Sequence, residues 1–109
     1  MTEIRKLWSG IPVSIPEAAL TAVRNAVSPS LYETASCFFL FRFLHRQAGA
    51  EAVLLGDYCF GRFSAHLAKL DSIPLTDAFG AYLRRDTLQP DDLNGYLAFL
   101  RALNAEQIL

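Results

Sequence analysis

Apolar residues in this chain recur at three- and four-residue spacing, and the strict alternation of a half-buried strand is almost absent. Ser14-Ile15-Pro16-Glu17 has capping-box spacing, with Ser14 at the cap, Glu17 three residues on and Pro16 in the first turn. Leu20, Val23 and Val27, interleaved with Ala18, Ala19, Ala22 and Ala26, then predict a helix to about Val27 whose small side chains permit close packing. Ser28-Pro29-Ser30 interrupts it, and Ser30 to Glu33 repeats the capping-box spacing. A helix is predicted from Leu31 to about Gln47. Its Cys37-Phe38-Phe39-Leu40-Phe41-Arg42-Phe43-Leu44 run is apolar on nearly every side, which implies burial on more than one face.

Gly49 ends that helix, and a long one is predicted from Ala50 to about Leu70, closed by Asp71-Ser72-Ile73-Pro74. The next runs from Leu75 or Thr76 to Arg85, with Arg84 and Arg85 complementing the dipole in its last turn. Pro90-Asp91-Asp92 opens a further helix to about Leu103, its acids at the favourable end; Asn104 to Leu109 either continue it or form a short turn. No element is assigned to the first dozen residues. The pattern predicts one all-α domain over residues 1–109, a compact bundle of about five or six helices.

Composition adds an expectation about assembly. The chain has 109 residues, 52% of them hydrophobic and 19% charged, against averages of about 45–50% and about 25%. A domain this small has much surface per unit volume, so the apolar excess points to a buried subunit face. The helix of Phe38, Phe39, Phe41 and Phe43 is the expected source of that face, and the chain is expected to pair rather than stay monomeric. Net charge is −1 with scattered basic residues, unlike the clustered footprint of a nucleic-acid binder. Arg42 breaks the richest apolar run before it reaches membrane-spanning length, and the N-terminus lacks signal-peptide order. A cytoplasmic location and reduced thiols at Cys37 and Cys59 are therefore expected.

Candidate chemistry is sparse. The two cysteines lack C-x-x-C spacing and His45 and His66 are not an i,i+4 pair, so neither a metal nor a cofactor is expected. They read as core thiols and surface or helix-end histidines. No phosphate-binding glycine loop or H-E-x-x-H motif occurs. The richest stretch is Val53-Leu54-Leu55-Gly56-Asp57-Tyr58-Cys59-Phe60-Gly61-Arg62-Phe63. Two glycines inside one helix each cost about 1 kcal/mol against alanine and imply close approach by another backbone. Asp57, on an apolar segment, needs a partner. It reads as a structural helix-pairing residue, with a ligand contact as the alternative, and Arg62 as a second polar contact.

That stretch resembles the G-D-Y/F helix of the all-α trans-polyprenyl diphosphate synthases. Upstream, Thr34-Ala35-Ser36-Cys37-Phe38 is similar to the T-A-S-L-V/I portion of the helix in which those enzymes carry their first Asp-rich motif. The resemblance covers about Leu31 to Leu70 and implies a truncated isoprenoid-synthase fold. The departures are as telling. Phe39, Leu40 and Phe41 stand where the family has His-Asp-Asp, Leu44 stands for the third Asp, and the basic diphosphate loop before Gly49 is missing. Magnesium needs hard oxygen ligands, so the resemblance implies a non-enzymatic chain. It is similar to the small subunits that lack Asp-rich motifs and pair with a catalytic polyprenyl diphosphate synthase subunit, completing its elongation cavity and influencing product length. On this reading Phe38, Phe39, Phe41, Phe43, Gly56, Phe60, Gly61 and Phe63 form an interface or border an apolar cavity. The alternative is a stand-alone helical homodimer in which the phenylalanines line a cavity for a lipid or another apolar ligand.

Overall fold

A computed structural model of the chain describes residues 1–105. Six α-helices follow in order: α1 (Thr2–Leu7), α2 (Glu17–Asn25), α3 (Tyr32–His45), α4 (Ala50–Leu70), α5 (Ile73–Leu88) and α6 (Leu93–Ala105). Single 3-10 turns at Trp8–Gly10 and Pro29–Leu31 follow α1 and precede α3. The all-α bundle expected from the pattern is the fold observed. The expectation for residues 106–109 lies outside the described residues; Asn104 continues α6 and donates from Nδ2 to the Ala26 carbonyl at 2.8 Å.

α3 is the axis of the bundle. Thr34 through Phe38, Leu40, Phe41 and Leu44 are all buried, so the helix is wrapped rather than laid on one face. The other helices each turn a narrower stripe towards it. On α4 the buried positions are Ala52, Leu55, Gly56, Cys59, Phe63 and Leu67; on α5 they are Leu75, Phe79, Tyr82 and Asp86. Leu20 and Val23 of α2, with Tyr96, Leu97, Leu100 and Leu103 of α6, close the remaining sides. The N-terminal residues join the core as well, because Ile4 and Trp8 are buried and the indole Nε1 donates to the Val13 carbonyl at 2.7 Å.

Phe38 lies at the centre. Its ring meets those of Phe63, Phe79 and Tyr96 at centroid distances of 5.0, 5.5 and 5.5 Å, within the range in which aromatic pairs attract beyond simple burial. Tyr96 is fixed by its own hydroxyl, which donates to the Ala35 carbonyl at 2.7 Å inside the core. Burial pushes that phenol well above the usual tyrosine range, so it remains a neutral donor.

The helix ends depart from the expected caps. Ser14 does not cap α2: Pro16 occupies the cap position without a side-chain bond, and Glu17 pairs with Arg5 of α1 instead. The second capping box is also absent, because the 3-10 turn leads into α3 and Leu31 sits at its cap. α5 starts earlier and ends later than expected. Ser72 caps it by accepting the Leu75 N–H at 3.2 Å, which lets Pro74 sit in the first turn and carries the helix back to Ile73. α4 has the expected limits. Gly49, at φ 111°, turns the chain between α3 and α4 in a conformation that L side chains rarely adopt.

Candidate functional site

α3 and α4 lie against one another along most of their lengths, and the two glycines of α4 fall on different sides of that seam. Gly56 faces inward. A Cβ there would stand 2.3 Å from His45 Cδ2 and 3.3 Å from Leu44 Cβ, so its missing side chain admits the end of α3. The His45 ring seated in that notch also pairs with Asp57, Nε2 to Oδ1, at 2.9 Å. Asp57 thus has the helix-pairing contact expected of it. Gly61 faces outward, and among the described residues nothing beyond the backbone of its own helix lies within 4 Å of where its Cβ would be.

The outer face of α4 around Gly61 is mixed: Asp57 and Ser64, one turn away on either side, are exposed, and apolar side chains are exposed close by. Val53 is 42% exposed, Leu54 68% and Phe60 37%. Phe60 packs one edge on Phe41, at a centroid distance of 4.7 Å, and leaves the other to solvent. Arg62 is exposed on the side of α4 that carries His66. Opposite signs of effect are therefore expected at the two glycines. Gly61→Ala should raise the unfolding free energy of the isolated chain by about 1 kcal/mol, the helix-propensity difference alone. Gly56→Leu should lower it by about 1–3 kcal/mol through overpacking of the seam. Urea unfolding of the two variants checks both.

Of the residues expected at an interface or cavity, Phe38, Phe41, Phe63 and Gly56 are buried inside the chain's own core, and Phe39 and Phe43 are half-buried. α2, α4, α5 and α6 cover most of α3 and leave Phe39 and Phe43 as its partly uncovered apolar positions. The aromatic rings fill one another's space rather than line a chamber. Phe39, Phe43, Leu93 and Tyr96 border a cleft of about 40 Å³ with Arg42 and Arg46 at its polar end.

Below that polar end lies a cluster not anticipated from the sequence. Asp86 is 1% exposed. Its carboxylate accepts from Arg42 Nε, from an Arg46 guanidinium nitrogen at 3.2 Å and from the Asp91 backbone N–H at 2.7 Å. Asp91 in turn accepts from the Tyr82 hydroxyl at 3.1 Å and from Arg85 at 3.4 Å. Burial, then the bond to Asp91, pushes the Tyr82 phenol well above its usual range. The cluster clamps α3 to α5 and to the turn before α6, with three arginines set against two carboxylates. A signal for it existed in the sequence. Leu75, Phe79, Tyr82 and Asp86 recur at spacings of four, three and four, which puts a carboxylate on the core face of α5. A buried charge there demands a cation, and Arg42, inside the most apolar run of the chain, supplies it.

No family model, curated protein or solved structure matches this chain. The likeness to polyprenyl synthases accordingly rests on the residues of α3 and α4 that carry it. None of the helices among the described residues is long and apolar enough to cross a membrane.

Proposed function

We propose that this chain is a non-catalytic helical subunit that pairs, through the outer face of α4, with a catalytic subunit of the polyprenyl diphosphate synthase type. The observation that carries the reading is Gly61. A glycine inside a helix costs about 1 kcal/mol against alanine, and Gly56 repays that cost by admitting His45 whereas Gly61 faces open space. With Leu54 two turns away on the same face and the exposed Phe60 next to it in sequence, it leaves a notch, rimmed by Asp57 and Ser64, suited to a side chain from another helix. The order of Thr34-Ala35-Ser36 and Gly56-Asp57-Tyr58 along α3 and α4 supplies the class of partner. Leu40, Phe41 and Leu44, which stand at the family's metal-binding positions, are buried among hydrocarbon, which favours a role in packing over one in chemistry. Influence on product length then comes from the face that α4 presents to the partner's cavity rather than from the phenylalanines of α3.

Size-exclusion chromatography with light scattering, on the chain alone and with a catalytic synthase subunit, tests the proposal. A stable heteromeric complex is expected, together with no prenyl transfer by the isolated chain. Leu54→Glu and Phe60→Glu should split the complex by placing an unpaired carboxylate in an apolar contact, and Lys69→Glu should leave it intact. A homodimer that ignores the synthase subunit would favour the stand-alone reading. A chain that stays monomeric with and without that subunit would overturn both.

A further inference from the structure

The first turn of α3 and the C-terminal part of α4 bring together three kinds of side chain that bind metal ions. Glu33 and Cys37 stand one helical turn apart on α3, and His66 reaches them from α4. A Glu33 carboxylate oxygen, the Cys37 sulfur and a His66 ring nitrogen all lie within 4.8 Å of one another. His66 Nε2 is shut off from solvent and, among the described residues, is the buried side-chain polar atom without a hydrogen-bond partner. Glu33 Oε2 is 4.0 Å from it, beyond hydrogen-bond reach. A polar atom buried without a partner costs about 1–3 kcal/mol, and in a folded protein such an atom points to a bound water or ion.

We propose that Glu33, Cys37 and His66 form a three-ligand site for Zn²⁺ or a chemically similar divalent cation, tying the start of α3 to the C-terminal half of α4. Zinc takes sulfur at about 2.3 Å, imidazole nitrogen at about 2.0–2.1 Å and carboxylate oxygen at about 2.0–2.2 Å in tetrahedral array. Its donor atoms therefore stand about 3.3–3.8 Å apart. The Glu33–His66 separation has only a little to close, and the half-exposed Glu33 side chain is free to rotate. One sulfur, one nitrogen and one oxygen suit zinc, and they exclude magnesium and calcium, which demand oxygen throughout. On binding, the Cys37 thiol gives its proton to solvent and the resulting thiolate bonds the cation. The carboxylate and thiolate together offset the double charge. The Met1 amino group, 3.3 Å from Glu33 Oε2, competes for the carboxylate, and Arg62 and Lys69 are the other cationic groups around His66.

Cobalt(II), added to the purified chain under reducing conditions, is the probe, because it occupies zinc sites and reports its ligands by absorption. The expected result is one tightly bound equivalent, with a sulfur-to-cobalt charge-transfer band and the visible bands of tetrahedral cobalt, both removed by added zinc. Cys37→Ser should abolish the charge-transfer band. Cys59→Ala, which alters the other core thiol, should keep it. If Cys37→Ser does not fold, His66→Gln and Glu33→Gln take its place, since both positions are partly exposed. Each should lose the tetrahedral bands while retaining its helical circular dichroism. Absence of any thiolate band in excess cobalt, or a band that survives in Cys37→Ser or vanishes in Cys59→Ala, would overturn the proposal.

Discussion

Phe38→Ala is expected to be the most damaging single truncation in the chain, lowering the unfolding free energy by about 3–5 kcal/mol. Phe38 is among the largest side chains that are fully buried. Its ring has edge-on or stacked neighbours from every direction: Phe41 on its own helix, Phe63 on α4, Phe79 and Tyr82 on α5 and Tyr96 on α6. Those partners sit on four helices whose separations are set by the ring between them, so they cannot all collapse into the space it leaves. The loss would be a large share of the about 5–15 kcal/mol that holds a typical domain folded. Urea denaturation followed by circular dichroism measures it. A loss below about 1 kcal/mol, the scale of an ordinary surface change, would mean that the aromatic cluster does not determine the packing.

Asp86→Ala is expected to cost about 3–5 kcal/mol, the usual penalty for breaking a buried ion pair from one side. The reason differs from that at Phe38. Little volume is lost, but Arg42 keeps a charge that it cannot fully return to water, and the Asp91 N–H loses its acceptor. Replacing Asp86 and Arg42 together with apolar residues of similar size should recover much of the loss, since the desolvation cost of both charges then disappears. The comparison of single and double variants by thermal unfolding separates the two contributions. A double variant no more stable than Asp86→Ala would show that the carboxylate matters through shape rather than charge.

The sequence announced the helices well because their signals are local. Apolar spacing and glycine or proline punctuation placed α4 from Ala50 to Leu70 and made the Phe38 run a helix covered on several faces. It misled at caps, where Ser14 and Glu17 have the right spacing but Glu17 finds Arg5, a partner on another helix, more favourable than the backbone. An all-round apolar helix such as α3 satisfies itself when enough neighbours surround it, and no spacing rule reveals how many will. The outward strip of Leu54, Phe60 and Gly61 is weaker in the sequence than α3 and becomes visible only once the inward stripe of α4 has been subtracted. The Glu33–Cys37–His66 group escaped for a related reason. Metal spacing rules look for ligands in one segment, and here the third comes from a different helix. Asp86 was the legible clue that went unused, a charged residue in register with a core stripe.

Tyr96 reaches back across 61 residues to bond Ala35, whereas α3 and α4 are joined only by Arg46–Gly49. Closing a long loop costs more chain entropy than closing a short one, and contacts near in sequence form sooner. The helical hairpin of α3 and α4 is thus the natural nucleus of folding, with its aromatic side still open until α6 arrives. Until α6 docks, the Phe38 ring lacks Tyr96 on one side, so the folding chain passes through a stage with exposed aromatic surface that ends when the residues of α6 have packed.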